Sequence, residues 1–314
     1  MTHEYVTEWL YDRQYAASTA ANYSNILDQF TRSTSTPLAD ITRDELRSFL
    51  QARLSTSQNA AYKAWQALRS FYAWAAENDD YTGVQADPMA RVKAPAKPPS
   101  SSASSRRVAD PDDFTTFVRN TSGQHYEDVR ARAMVATMFY AGLRISEVLR
   151  LDLDHVDLDD ERPTLFVADS KTAAGSNRYV PVSPKLKRHL KSYLRVRVGS
   201  RDDGAPLFVG NAGTRAADGR LTSSAWNSYL RRYRARTGHQ MSSAHTWRRR
   251  ATVDMLDAGV NQLSIQAING WADGRMVETY SGDQVNRLAL EDYFAKTTGE
   301  REQRRVDRRR LRAV

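Results

Sequence analysis

The 314-residue sequence contains no cysteine. This absence excludes a disulfide framework and any zinc site that depends on cysteine ligands, and it agrees with a reducing compartment. Any catalysis must therefore use other side chains.

Long apolar runs are also missing. Residues 1–5 lack the basic segment that precedes the apolar core of a secretory signal, and no apolar run further along has the length needed to span a bilayer. The sequence predicts a cytoplasmic protein with no membrane partner.

Acidic residues are outnumbered by basic ones, with 46 Lys and Arg against 37 Asp and Glu, for a net charge of +9. Such an excess favours a polyanionic partner through long-range attraction and through release of condensed counterions. The length predicts about two domains, each able to bury its own core.

A segment rich in proline and serine, residues 94–107, separates two helical regions and predicts a domain linker. It could be a flexible tether, and Lys97, Arg106 and Arg107 would also suit a strap along phosphates. The predicted division is a helical DNA-binding domain at 1–93, the linker, a catalytic domain at 108–298, and a basic tail at 299–314. The tail is read either as a solvated segment or as a nonspecific DNA contact.

Helical patterns dominate the region before the linker. Ser18 or Thr19 is predicted to cap one helix, and Thr42 with Glu45 forms a capping-box pattern ahead of another. A third helix is predicted at 58–77, where the aromatic residues are interpreted as core.

Beyond the linker, helices alternate with a short β segment. Asp110 begins one predicted helix, and a second runs from His125 to Ala141 and stops at Gly142. Two strands, 164–168 and 178–182, are predicted to form a hairpin whose loop contains Lys171. Further helices are predicted at 185–196, 223–236, 246–257, 263–268 and 287–294. The expected fold is mainly α, with a helical domain followed by an α+β domain that holds a small antiparallel sheet.

Three short motifs follow one another in the second half of the chain. Ala-Gly-Leu-Arg-Ile-Ser-Glu at 141–147 is followed by His-Thr-Trp-Arg at 245–248, by Gly-Trp at 270–271, and by Tyr280, nine residues after Trp271. In order and spacing this set resembles the tyrosine recombinase (phage integrase) family. The resemblance implies a core-binding domain and a catalytic domain that together clamp DNA. The start of the chain fits a minimal type without an arm-binding domain.

The residue types suit attack on a phosphodiester. Guanidinium groups donate paired hydrogen bonds to phosphate oxygens, so Arg144 and Arg248 would form a clamp. The resemblance makes Tyr280 the nucleophile of a 3′-phosphotyrosine intermediate, whose formation conserves bond energy and needs neither ATP nor metal. Trp271 stands where many members have His, and it can donate one N–H or support the site by packing.

Three more residues complete the predicted site. Lys171 is the candidate acid for the departing 5′-oxygen, although a loop lysine is by default a solvated charge. His245 would assist proton transfer or hold a phosphate oxygen. The resemblance implies that Glu147 orients the histidine from behind the site.

The favoured function is site-specific recombination of double-stranded DNA by a tetramer on paired sites, with a possible directionality factor. A phage or mobile-element integrase is favoured over a chromosome-dimer resolvase of the Xer kind. A type IB topoisomerase uses a similar residue set, and a DNA-binding protein with a decayed site is a third alternative.

Overall fold

A computed structural model describes residues 3–98, 108–123, 125–170 and 172–274. The chain divides into two compact units, residues 1–102 and 103–314. The finer division, with a linker at 94–107, stays a prediction.

The first unit is helical. Its helices are α1 (His3–Asp12), α2 (Ala17–Ser33), α3 (Arg43–Thr56), α4 (Gln58–Glu77) and α5 (Asp79–Thr82), and a 3₁₀ turn spans Leu38–Asp40. Helix α4 has the bounds predicted from the sequence, and it packs against all four other helices.

Aromatic side chains fill the core of this unit. Trp9 packs edge-on against Phe71 of α4, with ring centroids 5.4 Å apart, and both rings are fully buried. Tyr72 and Trp74 are buried beside them, so the interpretation of the α4 aromatics as core is confirmed. Each fully buried aromatic of this kind contributes about 1.5–3 kcal/mol relative to an exposed one.

The two predicted caps had different outcomes. The capping box is confirmed, because the Thr42 amide donates to Glu45 Oε2 (2.9 Å) and the Glu45 amide donates to Thr42 Oγ1 (3.3 Å). The Ser18 or Thr19 cap was wrong, because α2 begins at Ala17 and Ala16 occupies the N-cap. Alanine is the best helix former, so the helix extends past the hydroxyl residues.

The second unit surrounds one buried helix. Its helices are α6 (Pro111–Asn120), α7 (Tyr126–Ala141), α8 (Ile145–Arg150), α9 (Pro184–Val196), α10 (Ser223–Thr237), α11 (Ala244–Asp257) and α12 (Gln262–Asn269). Asp110 caps α6 as predicted, its Oδ1 accepting from the Asp112 amide at 2.9 Å. Helix α7 is buried along nearly its whole length and packs against α6, α8, α9 and α11.

A three-stranded antiparallel sheet flanks these helices in the order β1 (Val156–Asp157), β2 (Thr164–Val167), β3 (Arg178–Pro181). The predicted hairpin corresponds to β2 and β3, each one residue shorter at its C-terminal end, and β1 was not predicted. Leu165 pairs with Val180, and Val167 pairs with Arg178. Alternation along β3 buries Arg178 and Val180 and exposes Tyr179.

The mainly helical architecture with a small antiparallel sheet confirms the predicted fold class. Among the described helices, none combines the length and the apolar character needed to cross a membrane. The helix predicted at 287–294, together with Lys171 and Tyr280, lies outside the described residues.

Candidate active site

Glu147 is the buried centre of the candidate site. It lies in the first turn of α8 with 1% of its surface exposed. Its Oε1 accepts from Arg144 Nη1 (2.6 Å) and Ser170 Oγ (2.6 Å), and its Oε2 accepts from Arg178 Nη2 (2.9 Å) and the Arg144 amide (2.8 Å). One carboxylate thus joins the start of α8, the start of the hairpin loop and strand β3.

This carboxylate is ionised despite its burial. Burial, the largest single effect, raises the pKa of Glu147. The Arg178 charge and the hydrogen bonds from Arg178, Ser170 and the Arg144 amide together outweigh it, and the pKa falls to about 2. The site therefore contains a fixed negative charge that can hold guanidinium groups.

Arg144 occupies the N-cap of α8, where Gly142 has just ended α7 with a φ of 69°. The motif Gly-Leu-Arg thus turns the chain from one helix into the next. The Arg144 side chain is 25% exposed, and Nη1 also donates to Ser170 Oγ (3.1 Å). Its guanidinium is held by Glu147 and Ser170, and the side chain remains partly exposed.

Arg248 approaches the same carboxylate from α11. Its side chain is 2% exposed, and Nη1 lies 3.6 Å from Glu147 Oε2. Nη1 also donates to the Gly142 carbonyl (2.7 Å), and Nη2 donates to the Asn269 carbonyl. These carbonyls belong to the C-terminal ends of α7 and α12, where backbone acceptors lack intrahelical partners. Arg249 is buried too, so these two arginines do not form a solvated run.

Trp271 follows the end of α12 and is 6% exposed. Its ring packs with Leu256 and Ile265, and the Arg248 guanidinium lies over the ring at 5.6 Å from the centroid. The indole therefore supports the Arg248 guanidinium through packing and a cation–π contact.

His245 lies in the first turn of α11, three residues before Arg248, with an exposed side chain. Partial loss of water around the ring lowers the pKa of His245, and the charges of Arg249, Arg248 and Arg144 lower it further. The imidazole is consequently neutral at neutral pH and able to accept a proton.

The sequence analysis missed two residues of this cluster, Ser170 and Arg178. From the sequence, both are predicted only as parts of a hairpin. Arg178 is 8% exposed, and it carried a detectable signal because it is a charged residue on the inward face of β3, in step with Val180. Ser170 carried no comparable signal.

Gly270 brings the Trp271 segment against the hairpin loop. It ends α12 with a φ of 61°, and a Cβ there would lie 2.5 Å from the Gly175 Cα and 3.1 Å from Arg178 Nε. Glycine is required here both by the left-handed backbone and by the close approach of the two chains.

The described residues contain one group with metal-ligand geometry, formed by Asp152, Asp154 and His155. Asp152 Oδ1 is paired with Arg220 Nη2 (2.5 Å), and His155 Nδ1 accepts from the Asp152 amide (3.1 Å). None of these residues belongs to the predicted site. The ion pair with Arg220 and the turn that joins Asp152 to His155 explain why these side chains lie together.

Arg144, Arg248, His245, Trp271 and Glu147 thus come together at the ends of α7, α8, α11 and α12. Two guanidiniums on one anchored carboxylate, beside a neutral imidazole, are suited to bind a tetrahedral phosphate and its developing charge.

Comparison with known proteins agrees with this chemistry. Residues 108–287 match the phage integrase family, and residues 31–95 match the phage integrase core-binding domain. A tyrosine recombinase XerC from Herpetosiphon aurantiacus is 27% identical over 297 residues, which is 91% of each chain. A tyrosine recombinase XerA from Thermococcus kodakarensis is 30% identical over 167 residues, 53% of this chain and 56% of that protein.

Solved structures share the fold. A lambda integrase dimer bound to a core site superposes with a TM-score of 0.62 at 16% identity, covering 90% of this chain and 95% of that one. The XerH recombinase bound to a palindromic difH substrate gives 0.60 at 16% identity, covering 90% and 82%.

The chain belongs to the phage integrase family. It is a tyrosine recombinase, an enzyme of site-specific recombination that breaks and rejoins DNA strands.

Replacing Gly270 by alanine should destabilise the second unit strongly, because the added Cβ meets the Gly175 backbone. Gly238→Ala is the matched control, since Gly238 also ends a helix with a positive φ (68°) but has open space around its Cβ position. Gly238→Ala should cost about 1 kcal/mol through the left-handed backbone alone. Thermal unfolding of both variants measures the difference, and equal losses would contradict the close contact.

Glu147→Gln should lower the free energy of unfolding at neutral pH by about 3 kcal/mol, because it leaves buried guanidiniums without their counter-charge. The folded pKa of Glu147 lies near 2, below the ordinary value of 4.5, so its stabilisation is present above pH 4.5 and lost as pH falls toward 2.

The stability gap between wild type and Glu147→Gln should therefore narrow over that window. Urea titrations at a series of pH values measure this difference in the free energy of unfolding. Glu127→Gln is the control, because the Glu127 side chain is 28% exposed. A gap that stays constant down to pH 2 would contradict the buried ionised carboxylate.

Proposed function

We propose that this recombinase cleaves DNA with Tyr280 as nucleophile, with Arg144 and Arg248 bound to the scissile phosphate and with Lys171, His245 and Trp271 completing the site. The observation that carries the proposal is the meeting of Arg144 and Arg248 at the single buried carboxylate of Glu147. A carboxylate that fixes both guanidiniums pre-organises them for a phosphate, so little reorganisation is needed when charge develops.

In the proposed step the phenol oxygen of Tyr280 attacks phosphorus and the bond from phosphorus to the 5′-oxygen breaks. The phenol proton passes to the imidazole of His245, which the lowered pKa keeps unprotonated at neutral pH and therefore able to accept a proton. Lys171 gives a proton to the departing 5′-oxygen. The products are a 3′-phosphotyrosine and a free 5′-hydroxyl, and attack by a 5′-hydroxyl reverses the step. One phosphoester replaces another, so the reaction needs no nucleotide or metal.

Double-stranded DNA is the proposed partner of both units. The net charge of +9 favours it, and the first unit has a groove of about 800 Å³ whose lining includes Arg47, Arg91 and Lys93. The lambda integrase and XerH structures contain DNA, which supports the same use here. We propose a DNA-binding domain at 1–93 and a catalytic domain at 108–298, joined by the linker at 94–107.

The proposed working form is a homotetramer on two paired DNA sites in the cytoplasm, with a directionality factor as a further partner. Trp271, the long hairpin loop and the basic tail favour a phage or mobile-element integrase. The similarity to XerC over 91% of the chain favours a chromosome-dimer resolvase as the second candidate.

Tyr280→Phe should abolish the covalent protein–DNA adduct while leaving DNA binding nearly unchanged, because only the attacking hydroxyl is removed. The adduct is measured after denaturation, with fragmented genomic DNA of the source organism as substrate. Tyr179→Phe, at a tyrosine that is 68% exposed on β3, is the matched control and should still form the adduct. An adduct that persists in Tyr280→Phe would mean that another residue is the nucleophile.

The sequence of the DNA recovered from the wild-type adduct distinguishes the two candidate sources. Junctions of a mobile element would support an integrase, and a single chromosomal site would support a resolvase. Adducts spread over unrelated sequences would instead indicate topoisomerase-like cleavage.

Arg144→Lys and Arg248→Lys should each slow single-turnover cleavage about 10²–10³-fold, since an ammonium cannot make the paired contacts of a guanidinium. Only Arg248→Lys should also lower the melting temperature markedly, because Arg248 binds two helix-end carbonyls from a buried position. Arg250→Lys, at a partly exposed position paired with Asp254, is the control. Cleavage near the wild-type rate in both site variants would remove the clamp assignment.

A further inference from the structure

Arg178 stands at a junction of three segments of the second unit. Its Nε donates to the Ile268 carbonyl at the end of α12 (2.9 Å), its Nη1 donates to the Gly175 carbonyl in the hairpin loop, and its Nη2 donates to Glu147 Oε2 (2.9 Å). Each nitrogen of one buried guanidinium therefore holds a different part of the site. A buried charge is costly unless it is fully paired, so this position needs all three partners.

The loop held by Arg178 is the one that contains Lys171. On the side before Lys171, Ser170 Oγ donates to Glu147 Oε1 (2.6 Å), and the Ser170 amide donates to Ser176 Oγ (3.0 Å). On the side after it, a 3₁₀ turn spans Ala173–Gly175 and packs against α12. The flank before Lys171 therefore binds the Glu147 carboxylate directly, and the flank after it is linked to the same carboxylate through Arg178. This carboxylate also holds Arg144.

We propose that Arg178 is a positioning residue for strand cleavage. It holds the Lys171 loop at a fixed position relative to the guanidinium groups of Arg144 and Arg248. The inference rests on the proposed function, in which Lys171 protonates the departing 5′-oxygen. Arg178 itself does not touch the phosphate in this proposal. It acts through the Gly175 carbonyl and Glu147, so a substitution that keeps its positive charge shifts the proton donor while the clamp stays in place.

Arg178→Lys separates these effects, because it keeps a positive charge beside Glu147 but cannot reach three segments at once. Single-turnover cleavage is measured on two suicide substrates that carry oxygen or sulfur at the bridging 5′ position. A thiolate leaves without protonation, so the sulfur substrate does not need the acid. We expect Arg178→Lys to be slowed roughly 10–100-fold on the oxygen substrate and to cleave the sulfur substrate near the wild-type rate.

Arg197→Lys is the matched control. Arg197 is also buried, and it donates to three backbone carbonyls, those of Leu207 (3.0 Å), Ser200 (2.6 Å) and Pro206 (2.6 Å). Its substitution should lower stability to a similar extent without changing the ratio of the two cleavage rates. A purely structural role for Arg178 would make the two variants alike.

Gly175→Ala keeps the inference testable if Arg178→Lys fails to fold, as judged by thermal unfolding and DNA binding. A Cβ at Gly175 would lie 2.5 Å from Ser170 Oγ and would displace the loop without removing a charged side chain. This variant should show the same selective loss on the oxygen substrate.

Two reference variants distinguish the failure of this inference from failure of the proposed function. Lys171→Ala should be rescued by sulfur, and Arg144→Ala should be poor on both substrates. If Lys171→Ala is rescued but the folded Arg178→Lys or Gly175→Ala is equally slow on both, the positioning role of Arg178 is overturned. If Lys171→Ala is not rescued, the acid assignment fails, and the Arg178 inference fails with it.

Discussion

The ionised carboxylate of Glu147 is the interaction on which the site depends. A negative charge buried at this depth is stable only because guanidiniums and hydroxyl or amide donors surround it. The same requirement fixes Arg144, Ser170 and Arg178 relative to one another and brings Arg248 within 3.6 Å. The same hydrogen bonds and ion pairs around Glu147 therefore determine both the arrangement of the site residues and the electrostatic stability of the fold.

Much of the fold could be predicted because its signals are local. Thr42 with Glu45 and Asp110 before Pro111 cap helices through hydrogen bonds within three residues, and Gly142 and Gly270 end helices with left-handed backbone. The α2 start was missed because the helix propensity of Ala17 extends the helix past the nearby hydroxyl residues. Strand β1 has two residues, too short for any periodicity to be detected.

The site residues that lie in motifs with a characteristic order and spacing could be predicted from the sequence. Arg144, His245, Arg248 and Trp271 lie in spaced motifs, and the structure brings these four together. Ser170 and Arg178 have no such motif, because their roles arise only when the hairpin folds back onto α8 and α12. The inward position of Arg178 on β3 was the available clue, and it requires knowing which strand face is buried.

The buried position of Arg248 affects the order in which such an enzyme can lose its site residues during evolution. Its guanidinium satisfies the carbonyls that end α7 and α12 and lies over the Trp271 ring, so its removal damages the scaffold directly. Arg144 and His245 are more exposed and can change with less structural damage. A lineage that abandons recombination but still binds DNA should therefore erode at the exposed positions first and retain Arg248 as a structural relic.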